Sequence, residues 1–173
     1  MSSSIYNIQA WSSLITYKSF DVYSYNGKYY YVIQDHSAKS PGIALAQGYV
    51  DGLGLDGSGR QRYRFFWIPS YNSNINLNPK IKSIRFGDGY ETRNADGINN
   101  LLLELDLAFE NRSLTEYTSI MHFLGTQEGH KSFLYTPLIP YNKQKLFVCR
   151  SWNGKCNFYE NYSISCKFEE VVN

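Results

Sequence analysis

The chain has 173 residues, of which 17% are aromatic (16 are Tyr) and 18% charged, with a formal net charge of +2. That length supplies one sizeable core or two small ones, and a net charge so near zero gives no electrostatic ground for a nucleic-acid or membrane partner. No apolar run approaches the roughly 20 residues a helix needs to cross a bilayer, and the opening MSSSIYN has neither the basic nor the apolar stretch of a secretory signal. The three cysteines, Cys149, Cys156 and Cys166, are odd in number and lack C-x-x-C spacing. They read as reduced thiols, against a disulfide framework or a zinc site. Aromatic and β-branched residues among many Gly, Asn and Ser turns point to a mainly β fold.

Residues 1–5 form a Ser-rich start, expected to be disordered. Within residues 8–41 two short strands, 21–25 and 28–33, flank Asn26-Gly27, a strong two-residue hairpin signal. Trp11 and Tyr17 supply mass for a small core. Ala10, Trp11, Tyr17, Asp21, Tyr25, Asn26, Gly27, Lys28 and Tyr30 fall on the pattern A-W-x5-Y-x-x-G-D-x-V-x-Y-N-G-K-x-Y. This stretch resembles the small chitin- and cellulose-binding modules. Phe20 and Tyr23 stand where those modules usually have Gly and Val, and VIQDHS stands where they carry an exposed aromatic pair. The resemblance implies either glycan contact through Trp11, Tyr17, Tyr25 and Tyr30 or an inherited fold whose sugar site is lost. Flat aromatic faces are what sugar rings stack on.

Gly42, Gly48, Gly52, Gly54, Gly57 and Gly59 make the next stretch a linker or long loop. GLGLDGSG lacks the Gly-Lys-Ser/Thr ending of a phosphate-cradling loop. Arg60, Arg62 and Arg64 alternate, so a strand would place them on one face, as a charged guarded edge or an acidic partner's contact. The division expected is a small β module over residues 1–45, a linker over 46–62 and a main domain over 63–173.

In the main domain YRFFW (63–67) is expected as the first strand and residues 80–86 as another, with Ile81, Ile84 and Phe86 apolar. That strand runs into Arg85-Phe86-Gly87-Asp88-Gly89-Tyr90, read as a tight reversal with Gly87 and Gly89 at positive φ. Leu101, Leu103, Leu105, Leu107 and Phe109 alternate with Glu104, Asp106 and Glu110, giving one core face and one carboxylate face. The carboxylate spacing is what a solvated strand face produces, and no catalytic pair is assigned. Ser113-Leu114-Thr115-Glu116 is a capping box. Tyr117, Ile120, Met121 and Leu124 continue as one face of the single good helix, with Gly125 and Gly129 as candidate stops. Neither His122 nor His130 has a partner at metal-ligand spacing. Strands are expected over 132–136 and 145–152, then a turn at Asn153-Gly154, then a final strand that buries Cys166.

PKIKSIRFGDGYETR, GINN, the alternating strand, the helix, FLYTP and FEEVVN occur in that order. Together they resemble the minor tail protein M family of lambda-type phages, over about residues 63–173. The resemblance implies a tail-tube-like fold, an antiparallel β-sandwich with one flanking helix, whose copies close a hexameric ring. It implies a structural part of a phage tail tip, assembled in the host cytoplasm, that joins the tail tube to the baseplate hub. Its neighbours would be further copies, the tail tube protein, the tape measure protein and the hub proteins, with DNA passing through the lumen unbound. It implies no enzyme activity, cofactor, metal or membrane contact. Two other readings are a carbohydrate-binding module for host-surface glycans, carried by residues 8–41, and a hydrolase or nuclease. The last would need a converging nucleophile, base or metal set, which the sequence does not display.

Overall fold

The computed structural model describes residues 8–37, 39–51, 53–55 and 61–172. The period-two segment after Leu101 forms strand β12 (Leu103–Arg112). Leu103, Leu105, Leu107 and Phe109 are buried, while Glu104 and Asp106 point to the other face; Leu101 precedes the strand and is exposed. β12 lies inside a seven-stranded sheet. Its order is β7 (Leu53–Leu55), β8 (Gln61–Phe65), β13 (Phe133–Tyr135), β14 (Lys145–Phe158), β15 (Asn161–Glu170), β12 and β9 (Asn74–Leu77). Only the β8–β13 pairing in this sheet is parallel. The fold is mainly β, as the composition implied.

Helix α2 (Leu114–Gln127) packs on the apolar face of this sheet. Ile120, Phe123 and Leu124 are fully buried, and Tyr117 and Met121 pack beside them, which is the face read from the 3.6-residue spacing. Ser113 caps the helix, its hydroxyl accepting from the Glu116 amide at 3.3 Å. The Glu116 carboxylate turns to Arg112 (3.0 Å). Glu128 (φ 52°) and Gly129 (φ 70°) end the helix in the left-handed region, and Gly125 sits inside it.

The expected turn at Asn153-Gly154 is corrected. β14 runs through both residues to Phe158, and the chain reverses at Tyr159-Glu160. Gly154 serves close packing instead, since a Cβ there would collide with the Tyr117 ring. Cys149 and Cys166 are buried inside the sheet, Cys156 is exposed, and all three are free thiols.

The N-terminal residues form a four-stranded sheet in the order β1 (Gln9–Ala10), β3 (Val22–Tyr25), β4 (Lys28–Val32) and β6 (Val50–Asp51). A separate short pair joins β2 (Thr16–Tyr17) to β5 (His36–Ser37). Asn26 (φ 50°) and Gly27 (φ 72°) both adopt the left-handed geometry that a tight two-residue hairpin requires. A second, short helix, α1 (Pro41–Ala46), starts on a proline, and Gly48 (φ 76°) follows its end. Residues 46–62 were expected as a linker, but their described part holds β6, β7 and the start of β8. The glycines there include helix punctuation, which composition alone reads as flexibility. Most of GLGLDGSG, and Arg60, lie outside the described residues. Of the expected arginine face, Arg64 bonds the Asp51 carboxylate at 2.6 Å.

β4 joins the two sheets. Its period of two sends Tyr30 and Val32 to a small N-terminal core with Tyr17, Tyr23, Ala44 and Val50. Tyr29 and Tyr31 turn the other way, toward α2. Tyr31 belongs to the large core. Its ring meets Phe123 and Trp67 edge-on at 5.4 and 5.6 Å, and its hydroxyl lies 3.1 Å from His122 Nδ1.

Tyr31→Ala is expected to lower unfolding free energy by about 3–5 kcal/mol, as for other buried aromatics. Tyr31→Phe, which removes only the hydroxyl, is expected to cost about 1 kcal/mol. Denaturant unfolding of both variants checks this, and an unchanged midpoint for Tyr31→Ala would contradict the shared core.

Candidate functional site

Among the described residues no group of three or more His, Cys, Asp or Glu side chains is placed to hold a metal ion. His130 is exposed beside Glu128. Burial among tyrosines lowers the His122 imidazole to about 4. Cys166 is held well above the ordinary thiol range by the hydrogen bond between its thiol and that of Cys149 and by burial. A thiol held protonated in the core is a poor nucleophile.

Arg85 to Tyr90 lie at the tip of an arm. β10 (Ile81–Arg85) and β11 (Glu91–Ala95) pair only with each other, in register from Ile81–Ala95 to Arg85–Glu91. The base is closed by the Lys80 amide donating to the Asn100 carbonyl and the Asp96 amide donating to the Lys80 carbonyl. At the tip Gly87–Gly89 form one 3-10 turn, and the Phe86 amide donates to the Tyr90 carbonyl at 2.8 Å. Asp88 (φ 68°) and Gly89 (φ 80°) take the left-handed geometry; Gly87, expected there, does not. The short Asp side chain tolerates this region better than most, which is why the Asp shares the turn with one Gly.

The expected strand carrying Ile81, Ile84 and Phe86 forms, but it faces no core among the described residues. Every residue of β10 is exposed, as are Phe86 (57%) and Tyr90 (77%). Ile81 and Ile84 are three apart, so a period of two places them on opposite faces, each interleaved with Lys82 or Arg85. That odd spacing was the signal against burial. The register places Ile84, Phe86 and Tyr90 together on one face of the arm. A two-stranded ribbon on its own is marginal in water, and a clustered apolar face marks a surface that meets something else.

The four aromatics expected to contact glycan separate into two sets. Trp11 and Tyr25 meet at 5.5 Å with planes 77° apart. With Ala10, Ser24, Asn26 and Tyr29 they border an open cleft of about 420 Å³. Trp11 Nε1 donates to the Lys39 carbonyl (3.2 Å), and Tyr25 is 38% exposed. Tyr17, 3% exposed, is a core residue whose hydroxyl accepts from the Ser12 amide at 2.8 Å. Tyr30 stacks on buried Tyr23 at 5.5 Å.

The sheet face opposite α2 is polar and concave. Asn72, Asn74, Asp106, Ser151, Asn153 and Lys167 are among the residues lining a groove of about 490 Å³ there. Lys167 reaches Glu104 at 2.8 Å and Arg150 reaches Glu169 at 3.2 Å. Lys167 and Asn78 also hold the partly exposed Glu104 carboxyl below its ordinary range. This is the solvated face that alternation along β12 implied.

Gly89→Ala puts a side chain at φ 80° and strains the tip by about 1 kcal/mol or more. Because the arm adds nothing to the core, global unfolding is expected to stay within about 1 kcal/mol of the parent while the weakly protected Phe86 amide exchanges faster still. Denaturant unfolding and amide exchange read the two effects separately. A fall of several kcal/mol in global stability would contradict this placement of the arm.

The profile of the phage minor tail protein family matches residues 63–172. The tail tip protein M of Escherichia phage lambda is 32% identical over 110 residues, which is 63% of this chain and 97% of that protein. The matched span takes in the arm, α2 and the sheet from Tyr63 onward, and leaves the N-terminal sheet outside. The chain therefore belongs to the phage minor tail protein family and is a structural component of a phage tail.

Proposed function

We propose that copies of this chain close a ring at the tail tip, six to a ring, joining the tail tube to the baseplate hub and leaving a central passage for DNA. The observation that carries this reading is the arm. A hairpin with Ile84, Phe86 and Tyr90 on one face and no core beneath it is a binding surface presented to a neighbour. The arm and the surface it meets are different patches, so the contact is head-to-tail, and such contacts close into rings when the rotation allows. Closure also protects the open edges of β7 and β9. Its axial neighbours are the tail tube, tape measure and hub proteins. In this role the protein sits in the virion tail and performs no catalysis.

Residues 63–173 are the assembling domain in this proposal, and the small module expected over residues 1–45, whose sheet is completed by β6 (Val50–Asp51), is seated on α2. The cleft beside Trp11 carries no glycan function here. Its two rings are perpendicular and form no flat platform, Tyr17 is buried, and Tyr30 is half-buried against Tyr23.

Two experiments test the proposal. An Ile84→Asp/Phe86→Asp variant is expected to fold as the parent does and to fail to enter assembled tails; normal incorporation, or a reconstruction with one off-axis copy per tail, would overturn the ring. A chain lacking residues 1–45 is expected to keep its β-rich circular dichroism and still assemble, at lower stability because Tyr29 and Tyr31 no longer cover α2. An unfolded or non-assembling product would refute the division into module and domain.

A further inference from the structure

Strands β8 and β13 form the parallel pair of the large sheet, matched at Leu134–Arg64 and Tyr135–Phe65. Both strands end there, and the chain leaves the sheet through residues 66–69 on one side and 136–138 on the other. A pocket of about 280 Å³ opens between these exits, with Phe66, Ile68, Pro69 and Leu138 among its apolar walls and Arg64 among its polar ones. Ile68 is 71% exposed and Leu138 45%, and Ile139, next along the chain, is 84% exposed. Aliphatic side chains gathered at the mouth of a pocket mark a surface that another apolar group covers.

Arg64 gives this pocket a charge. Its Nε donates to the Asp51 carboxylate at 2.6 Å, and its two Nη groups have no partner among the described residues. The arm carries the complement. Asp88 sits at the tip, between Phe86 and Tyr90, and its carboxylate has neither a hydrogen bond nor an ion pair among the described residues. A carboxylate flanked by two aromatic rings matches an apolar pocket that has a guanidinium beside it.

We propose that the arm tip of one copy seats in this pocket of the next copy, with Phe86 against Ile68 and Leu138 and with Asp88 on the Nη groups of Arg64. The pairing presupposes the ring proposed above and supplies its receiving surface. Three observations select a second copy as the occupant. The charges are complementary. Arm and pocket both lie within residues 63–172, the span matched by the family profile, which is the part expected to assemble without the N-terminal sheet. The groove on the other sheet face, lined by Asn74, Asp106, Asn153 and Lys167, is polar and suits Phe86 poorly. Each copy thus donates one arm and receives one, which makes the contact head-to-tail.

Cross-linking in assembled tails tests this. Gly87 lies outside the left-handed region and has open space around it, so Gly87→Cys fits the tip. Leu138→Cys places a second thiol at the pocket mouth, and Cys156→Ser removes the exposed native one, since Cys149 and Cys166 are buried. With a short bismaleimide the triple variant is expected to give a ladder of linked chains that stops at the full ring. Either new cysteine alone, with Cys156→Ser, is expected to leave the chains unlinked. Linked dimers and nothing larger would uphold the pocket and refute the ring. A ring visible in the reconstructed tail with no linkage, or linkage only within single chains, would overturn the pocket and leave the ring standing. Should the triple variant not fold or not enter tails, a reconstruction of parent tails decides. Asp88 lying over Arg64 of the neighbouring copy supports the proposal, and a tip resting on any other surface refutes it.

Discussion

Edge-to-face packing of phenylalanines between sheet and helix is the contact on which the other features depend. Phe65 of β8 meets Phe168 of β15 at 5.1 Å and Phe123 of α2 at 5.4 Å, and Phe133 of β13 closes the set at 4.9 Å from Phe168. Three strands and the helix are thereby locked in one arrangement, because rings packed this way tolerate little sliding. Phe168 lies opposite Leu105 on one side and Cys149 on the other, so the register of β12, β15 and β14 follows from where that ring is buried.

Once that core is set, the remaining surfaces have assigned characters. The opposite face of the sheet holds the alternate residues, polar and internally ion-paired, and so offers little to bind either an apolar or a charged neighbour. The helix cannot cover the whole apolar layer; Tyr31 completes it from the N-terminal sheet. The arm lies outside all of this. Its apolar residues pack on no core among the described residues, and in the proposed ring they form the surface that a neighbouring copy covers.

Much of this was legible in sequence order because the signals were local. Leu103 to Phe109 alternated without interruption, Ser113 stood ahead of a helical spacing, and Asn26-Gly27 permits few geometries besides the one found. The motif from Arg85 to Tyr90 identified a reversal, and its surroundings pointed to the family. What was illegible depended on distant partners. The parallel pairing of β8 with β13 joins residues about seventy positions apart in the chain. Tyr31 reads as one tyrosine among several on β4, and only the position of Phe123 makes it part of the large core. Gly154 reads as a turn until Tyr117 is seen to need the space. Pro41 and Gly48 punctuate a helix too short for periodicity to reveal.

The account rests most directly on the arm being unpartnered within one chain and covered between chains. Amide exchange over residues 81–95, measured on dilute protein and again on assembled tails, addresses this alone. The account predicts rapid exchange at Ile84 and Thr92 in the dilute chain and strong protection of both in the tail, with β12 and β15 protected in each. An arm already protected in the dilute chain, or still exchanging freely in the tail, would contradict it.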